Sequence, residues 1–96
     1  MFIVSLTYKR PIEEVDAHLD AHVAYLKQEY AKGSFIASGR KVPRTGGIIL
    51  SKVETRDALE AILARDPFHS AGIADYEIIE FVPSMVADGF ENLQER

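Results

Sequence analysis

PIEEVDAHLDAHVAYLKQEYAKG, residues 11–33, carries the longest periodic signal in the chain. Ile12, Val15, Leu19, Val23, Leu26 and Tyr30 recur at steps of three and four, the period of a helix with one apolar stripe. Both ends are marked. Pro11 can open a helix, because its missing N–H costs nothing there. Glu13, Glu14 and Asp16 crowd the first turn, where the helix dipole favours acids. Lys32-Gly33 closes the segment, since glycine takes a left-handed cap freely. The spacing predicts one helix of about twenty residues, roughly 30 Å long.

Strand-like segments lie on both sides. FIVSLTY (Phe2–Tyr8) has a fully apolar face of Phe2, Val4, Leu6 and Tyr8. After the helix, FIASG from Phe35 reads as a second strand. RKVPRTGG is a loop, and GIILSKV (Gly47–Val53) is a third strand, apolar enough to be buried. Thr55 can cap a second helix whose apolar face is Leu59, Ile62 and Leu63. Asp66-Pro67 stops it, because the residue before proline avoids helical angles. Gly72 closes a short turn before ADYEIIEFV (Ala74–Val82), the fourth strand. The polar tail from Ser84 has Phe90 and Leu93 on one face of a short helix.

The order βαββαβ predicts both helices on one face of a four-stranded antiparallel sheet, a ferredoxin-like α+β fold. At 96 residues, a single domain spanning 1–96 is expected. The strands are apolar on both sides, so the bare face is also expected to be buried. A sheet-to-sheet homodimer is the simple solution, and two such sheets can make a barrel. In this reading the first and third strands run parallel, and so do the helices. His22 and Asp66, each about 15 Å into its segment, then stand at similar height.

Composition removes several classes of function. Hydrophobic residues make up 47% and charged residues 27%, which is globular composition. The net charge of −4, with no basic cluster, offers no footprint for nucleic acid. The absence of cysteine removes disulfides and thiolate chemistry. Lys9 and Arg10 follow the first apolar run rather than precede it, the reverse of a signal peptide. No apolar run approaches membrane-spanning length. A cytoplasmic protein without membrane contact is expected.

Few side chains can carry chemistry. His22 shares the stripe of Leu19 and Leu26, where leucine would be ordinary. It is either a core histidine with one hydrogen bond or a general acid–base. Asp66 is either a local cap for Pro67-Phe68-His69 or the partner that fixes the tautomer of His22. His18 and His22 have the i,i+4 spacing of a helical metal pair, with His69 as a conceivable third ligand. They lack the glutamate of the zincin pattern, and no metal site is expected. Arg40, Lys41 and Arg44 flank the loop and are either solvated or an anion clamp. Ser38, just ahead of Arg40, joins Arg40 and Arg44 as a candidate substrate-binding residue.

HVAYLKQEYAKGSFIASG, the second helix and DPFHSAG together resemble the YCII-related (YciI-like) family, from the first strand to the fourth. The resemblance implies a ferredoxin-like fold and dimeric α+β barrels. It maps the family's helix histidine onto His22 and its DP-aromatic aspartate onto Asp66, as an active-site dyad. His18 and His69 fall outside the motif. Many members have Gly-Pro after the second strand, where this chain has Gly39-Arg40, so the pocket rim differs. One member removes chloride from a chlorinated aromatic ring compound, and muconolactone isomerases share the barrel. The expected function is therefore a lyase or isomerase that moves a proton on a small anionic or cyclic compound, with no cofactor motif in view. A non-catalytic ligand-binding or accessory domain is the alternative, because this fold hosts many functions.

Overall fold

The structure is a computed structural model that describes residues 1–95. Four strands form one sheet: β1 (Phe2–Tyr8), β2 (Phe35–Arg40), β3 (Gly46–Ser51) and β4 (Ala74–Glu80). Their order is β2-β3-β1-β4, and every neighbouring pair is antiparallel. The helices are α1 (Ile12–Ala17), α2 (Leu19–Ala31), α3 (Arg56–Leu63) and the single turn α4 (Pro67–Ser70). This is the expected ferredoxin-like architecture. Among the described residues, no helix is long and apolar enough to cross a membrane.

The core lies between the sheet and the helices. Phe2, Val4 and Leu6 of β1 and Ile49 of β3 face Val15, Leu59, Leu63 and Phe68. Each of these side chains is buried, worth about 1.5–3 kcal/mol apiece in apolar transfer. Gly46 permits the closest backbone approach. A Cβ there would stand 1.7 Å from the Leu6 carbonyl oxygen, so no other residue fits. Gly33 ends α2 with φ +80°, the left-handed cap its position predicts.

The structure corrects four expectations. First, β1 and β3 are antiparallel, not parallel. The β2–β3 hairpin reverses the chain, which the parallel reading left out. β1 and β2 both oppose β3, so α1 and α2 return against β1. β3 and β4 both oppose β1, so α3 returns against β3. The helices on the sheet therefore run antiparallel, and the start of α2 lies beside the end of α3.

Second, the predicted twenty-residue helix is two helices meeting at His18, whose φ, ψ of −107°, 3° are not helical. The His18 Nδ1 donates to the Glu14 carbonyl at 3.0 Å, the acceptor that its own backbone N–H would use in an α-helix. That N–H turns instead to Val15 O at 3.1 Å. A side chain inserted into the ladder is an ordinary cause of a kink.

Third, the buried stripe runs through Val15, Tyr25 and Glu29, with His22 half-buried among them, while Ile12, Val23 and Tyr30 are each 38–39% exposed. The break at His18 separates the phases of α1 and α2. Fourth, the tail forms only a 3₁₀ turn at Glu91–Leu93, with Phe90 exposed. Strand ends differ by up to two residues: β3 stops at Ser51 and β4 at Glu80.

Candidate functional site

His22 is the fourth residue of α2, and Asp66 follows the end of α3 by three residues. Antiparallel helices bring those two points together. The His22 Nδ1 lies 2.7 Å from Asp66 Oδ1. The carboxylate can only accept, so Nδ1 carries the proton, and Nε2 of a neutral ring keeps its lone pair.

Asp66 is 0% exposed and accepts from three directions. Its Oδ1 also takes the Phe68 N–H at 3.0 Å, which caps α4. Its Oδ2 takes the Tyr76 hydroxyl at 2.6 Å. One oxygen of Asp66 thus both caps α4 and lies within hydrogen-bond distance of His22. That oxygen also fixes the plane of His22 indirectly. The Phe68 ring stacks on the imidazole with centroids 3.9 Å apart and planes 3° from parallel.

Two phenols feel the charge of this carboxylate. Burial first, and the Asp66 charge second, push the Tyr76 hydroxyl far above its ordinary titration range. Tyr25 is raised by the same two causes in the same order, with Glu29 adding to them. Its hydroxyl donates to the Ile62 carbonyl at 2.8 Å.

His22 lines a cleft of about 520 Å³ between α2 and the β2–β3 hairpin. Leu6, Tyr8 and Ile49 form its sheet side, and Leu19, Val23 and Leu26 its helix side. Ser38, Arg40 and Arg44 all line it from the hairpin. Asp66 does not reach it and stands behind His22. The imidazole is 11% exposed against 0% for its partner, so a ligand in the cleft meets the histidine alone.

The cations differ in state. Arg44 Nη2 pairs with Asp16 Oδ1 at 2.7 Å across the mouth, and that hydrogen bond is the main reason its basicity is raised. Among the described residues, no ion pair or hydrogen bond engages the Arg40 guanidinium. Ser38 Oγ meets the Tyr30 hydroxyl.

Neither remaining histidine joins the site. His18 is spent on the Glu14 carbonyl, and His69 places its ring against Tyr76 with centroids 5.4 Å apart. Among the described residues, no group of three or more His, Cys, Asp or Glu side chains converges. Sequence reading missed Tyr76, Phe68 and Tyr8. Phe68 had a signal in the DPF run. Tyr76 had none without the register that pairs it with Leu6 on the helix-covered face.

A solved structure with this fold is the 5-chloro-2-hydroxyhydroquinone dehydrochlorinase of Burkholderia phenoliruptrix in complex with 2,5-dihydroxybenzoquinone. It is 20% identical over 84% of this chain and 93% of its own, with a TM-score of 0.70. At that identity the likeness is one of fold. No curated protein matches the sequence. The family model of the YCII-related domain matches residues 1–82. With the fold, the motif residues and that match in agreement, the chain belongs to the YCII-related family.

Proposed function

We propose that this protein is a small-molecule lyase or isomerase in which His22 moves a proton on a planar, anionic ring compound. The observation that carries this reading is the buried Asp66 carboxylate on Nδ1 of a histidine that opens on a cleft. In the neutral ring, Nε2 takes a proton from a carbon or hydroxyl beside an electron-withdrawing group. The electron pair left behind either expels a leaving group such as chloride, or is reprotonated at another atom by the same nitrogen. In both cases Asp66 faces the imidazolium that forms. Arg40, without a side-chain partner among the described residues, offers charge to the substrate's developing oxyanion, and Ser38 and Arg44 complete that rim. The cleft's 520 Å³ is within the usual range for small ligands, roughly 300–1,000 Å³. The neighbour's ligand, 2,5-dihydroxybenzoquinone, is a flat acidic ring of the class this cleft suits.

The working unit in this reading is a homodimer. Ala37, Leu50, Ile3 and Ile79 form one apolar row across all four strands, on the face away from the helices. A second copy packed there removes that row from water.

The test follows proton exchange and chloride release. Small cyclic enols and lactones in D₂O, and 5-chloro-2-hydroxyhydroquinone, are incubated with wild type and His22→Ala. Wild type should accelerate deuterium uptake or chloride release, and the variant should lose about 10²- to 10⁴-fold of that rate. Equal rates in the two proteins defeat the reading. Ring binding without turnover in either protein favours the non-catalytic alternative, which has one observation behind it: Asp66 also caps α4.

A further inference from the structure

We infer that Tyr76 is a positioning residue for this site: its hydroxyl locks the Asp66 carboxylate and thereby holds His22 in the Nδ1–H tautomer. The inference rests on the proposed role of His22 and adds a member that the motif does not contain.

A carboxylate held at one oxygen keeps a torsional freedom. Its terminal torsion is broad and roughly two-fold, so one oxygen held from one side leaves the plane free to tilt. Oδ1 of Asp66 carries both His22 and the Phe68 N–H, but these donors come from the helical side. Among the described residues, Tyr76 alone holds Oδ2, at 2.6 Å. Tyr76 belongs to β4, whose ladder with β1 runs without interruption from Phe2↔Glu80 to Tyr8↔Ala74. The phenol thus ties the dyad to the sheet, while His22 rides on α2 and Asp66 on the link before α4.

A phenylalanine could fill the same space, so the hydroxyl itself has one visible task. Asp66 Oδ2 is its hydrogen-bond partner. All contacts on the carboxylate come from donors, so both oxygens act as acceptors. If the Tyr76 donor is removed, Oδ2 becomes a buried acceptor with nothing to accept, and the carboxylate gains by turning toward another donor. Rotation draws Oδ1 from Nδ1, and the tautomer preference of His22 goes with it. Ligand approach from the cleft would then meet a protonated Nε2 in part of the population, which cannot act as a base.

The experiment is nitrogen-15 NMR of histidine-labelled protein at a pH where the His22 ring is neutral. Wild type should show His22 as a single tautomer protonated at Nδ1, with that proton slow to exchange. In Tyr76→Phe both tautomers should be populated, and the Nδ1 proton should exchange at least about tenfold faster, the order expected when one buried hydrogen bond is lost. An unaltered tautomer and unaltered exchange in a folded Y76F overturn the inference. If Y76F fails to fold, 3-fluorotyrosine placed only at position 76 keeps the shape and makes the donor more acidic. The His22 Nδ1 resonance must then shift, and an unmoved resonance is equally fatal. Asp66→Asn separates the two levels of the argument. A tautomer that moves in D66N but not in Y76F removes Tyr76 and leaves the dyad standing. A tautomer that moves in neither removes the dyad.

Discussion

Replacing Asp66 by alanine and by asparagine should give very different losses of stability. Asp66→Ala strips the acceptor from three donors at once: the His22 Nδ1–H, the Phe68 N–H and the Tyr76 hydroxyl. A buried polar group left without a partner costs about 1–3 kcal/mol, and a lost N-cap about 1 kcal/mol. His22 is partly rescued, because its ring reaches the cleft and water. Phe68 and Tyr76 have less access, so a loss of roughly 3–5 kcal/mol is expected, with the terms not strictly additive. Asp66→Asn keeps the shape. Its carbonyl oxygen can serve His22 and Phe68, and its amide can donate to the Tyr76 oxygen. What disappears is the charge on the two bonds that the amide oxygen still accepts, worth about 1 kcal/mol for each, or roughly 2 kcal/mol for the site. For a domain of this size that is a Tm drop on the order of 8–16 °C, against near-unfolding for alanine in a protein of ordinary marginal stability. Urea denaturation at neutral pH reads both values. An alanine variant that loses less than about 1 kcal/mol would refute the carboxylate network as what holds the α3–α4 link.

Three more outcomes follow from the same geometry. Tyr25 and Tyr76 are both raised by burial first and by Asp66 second. An unfolded chain releases those protons near pH 10 and the folded one retains them, so this stabilisation is whole below about pH 10 and lost as the pH rises beyond it. Ultraviolet titration should find these two phenols silent until the protein unfolds, and their ionisation at about pH 10 in folded protein would contradict the structure. Arg40→Gln should weaken binding of 2,5-dihydroxybenzoquinone about tenfold and Arg44→Gln by less, because Asp16 already occupies Arg44, while Asp16→Asn should tighten it. Calorimetry at fixed salt decides this, and equal effects of the two arginines would refute the distinction. Light scattering at micromolar concentration should report twice the 10.7 kDa chain mass, falling to one chain in Ile3→Lys, and a wild-type monomer would exclude the dimer.

The parts of the fold that are local were readable along the chain. Thr55 accepts from the Ala58 N–H at 3.1 Å, as an N-cap at that position should. Gly33 takes the left-handed angle its place after α2 requires, and the Phe2/Val4/Leu6 face of β1 is the core face. Each of these depends on neighbours within about four residues, and a short window of sequence contains everything that decides them. The family motif likewise marked His22 and Asp66 as residues of interest. It said nothing of what holds them.

The helix stripe shows where local reading ends. Val23 and Tyr30 fit the apolar period, yet they turn toward the cleft and the hairpin, while Glu29 takes a core position 1% exposed. The break that shifts the phase is a side chain bonding to a carbonyl, which no hydrophobic pattern encodes. The meeting of His22 and Asp66 was expected from helices of equal direction and matched height. It arises instead because the helices oppose each other, so that the start of one lies beside the end of the other. Tyr76 enters the site only through the strand register that sets it opposite Leu6. Strand direction, register and helix height are settled by contacts between residues tens of positions apart. Such contacts are selected by how the whole chain packs, so the sequence alone determined the elements and the chemistry available, and the tertiary structure decided which of those groups touch.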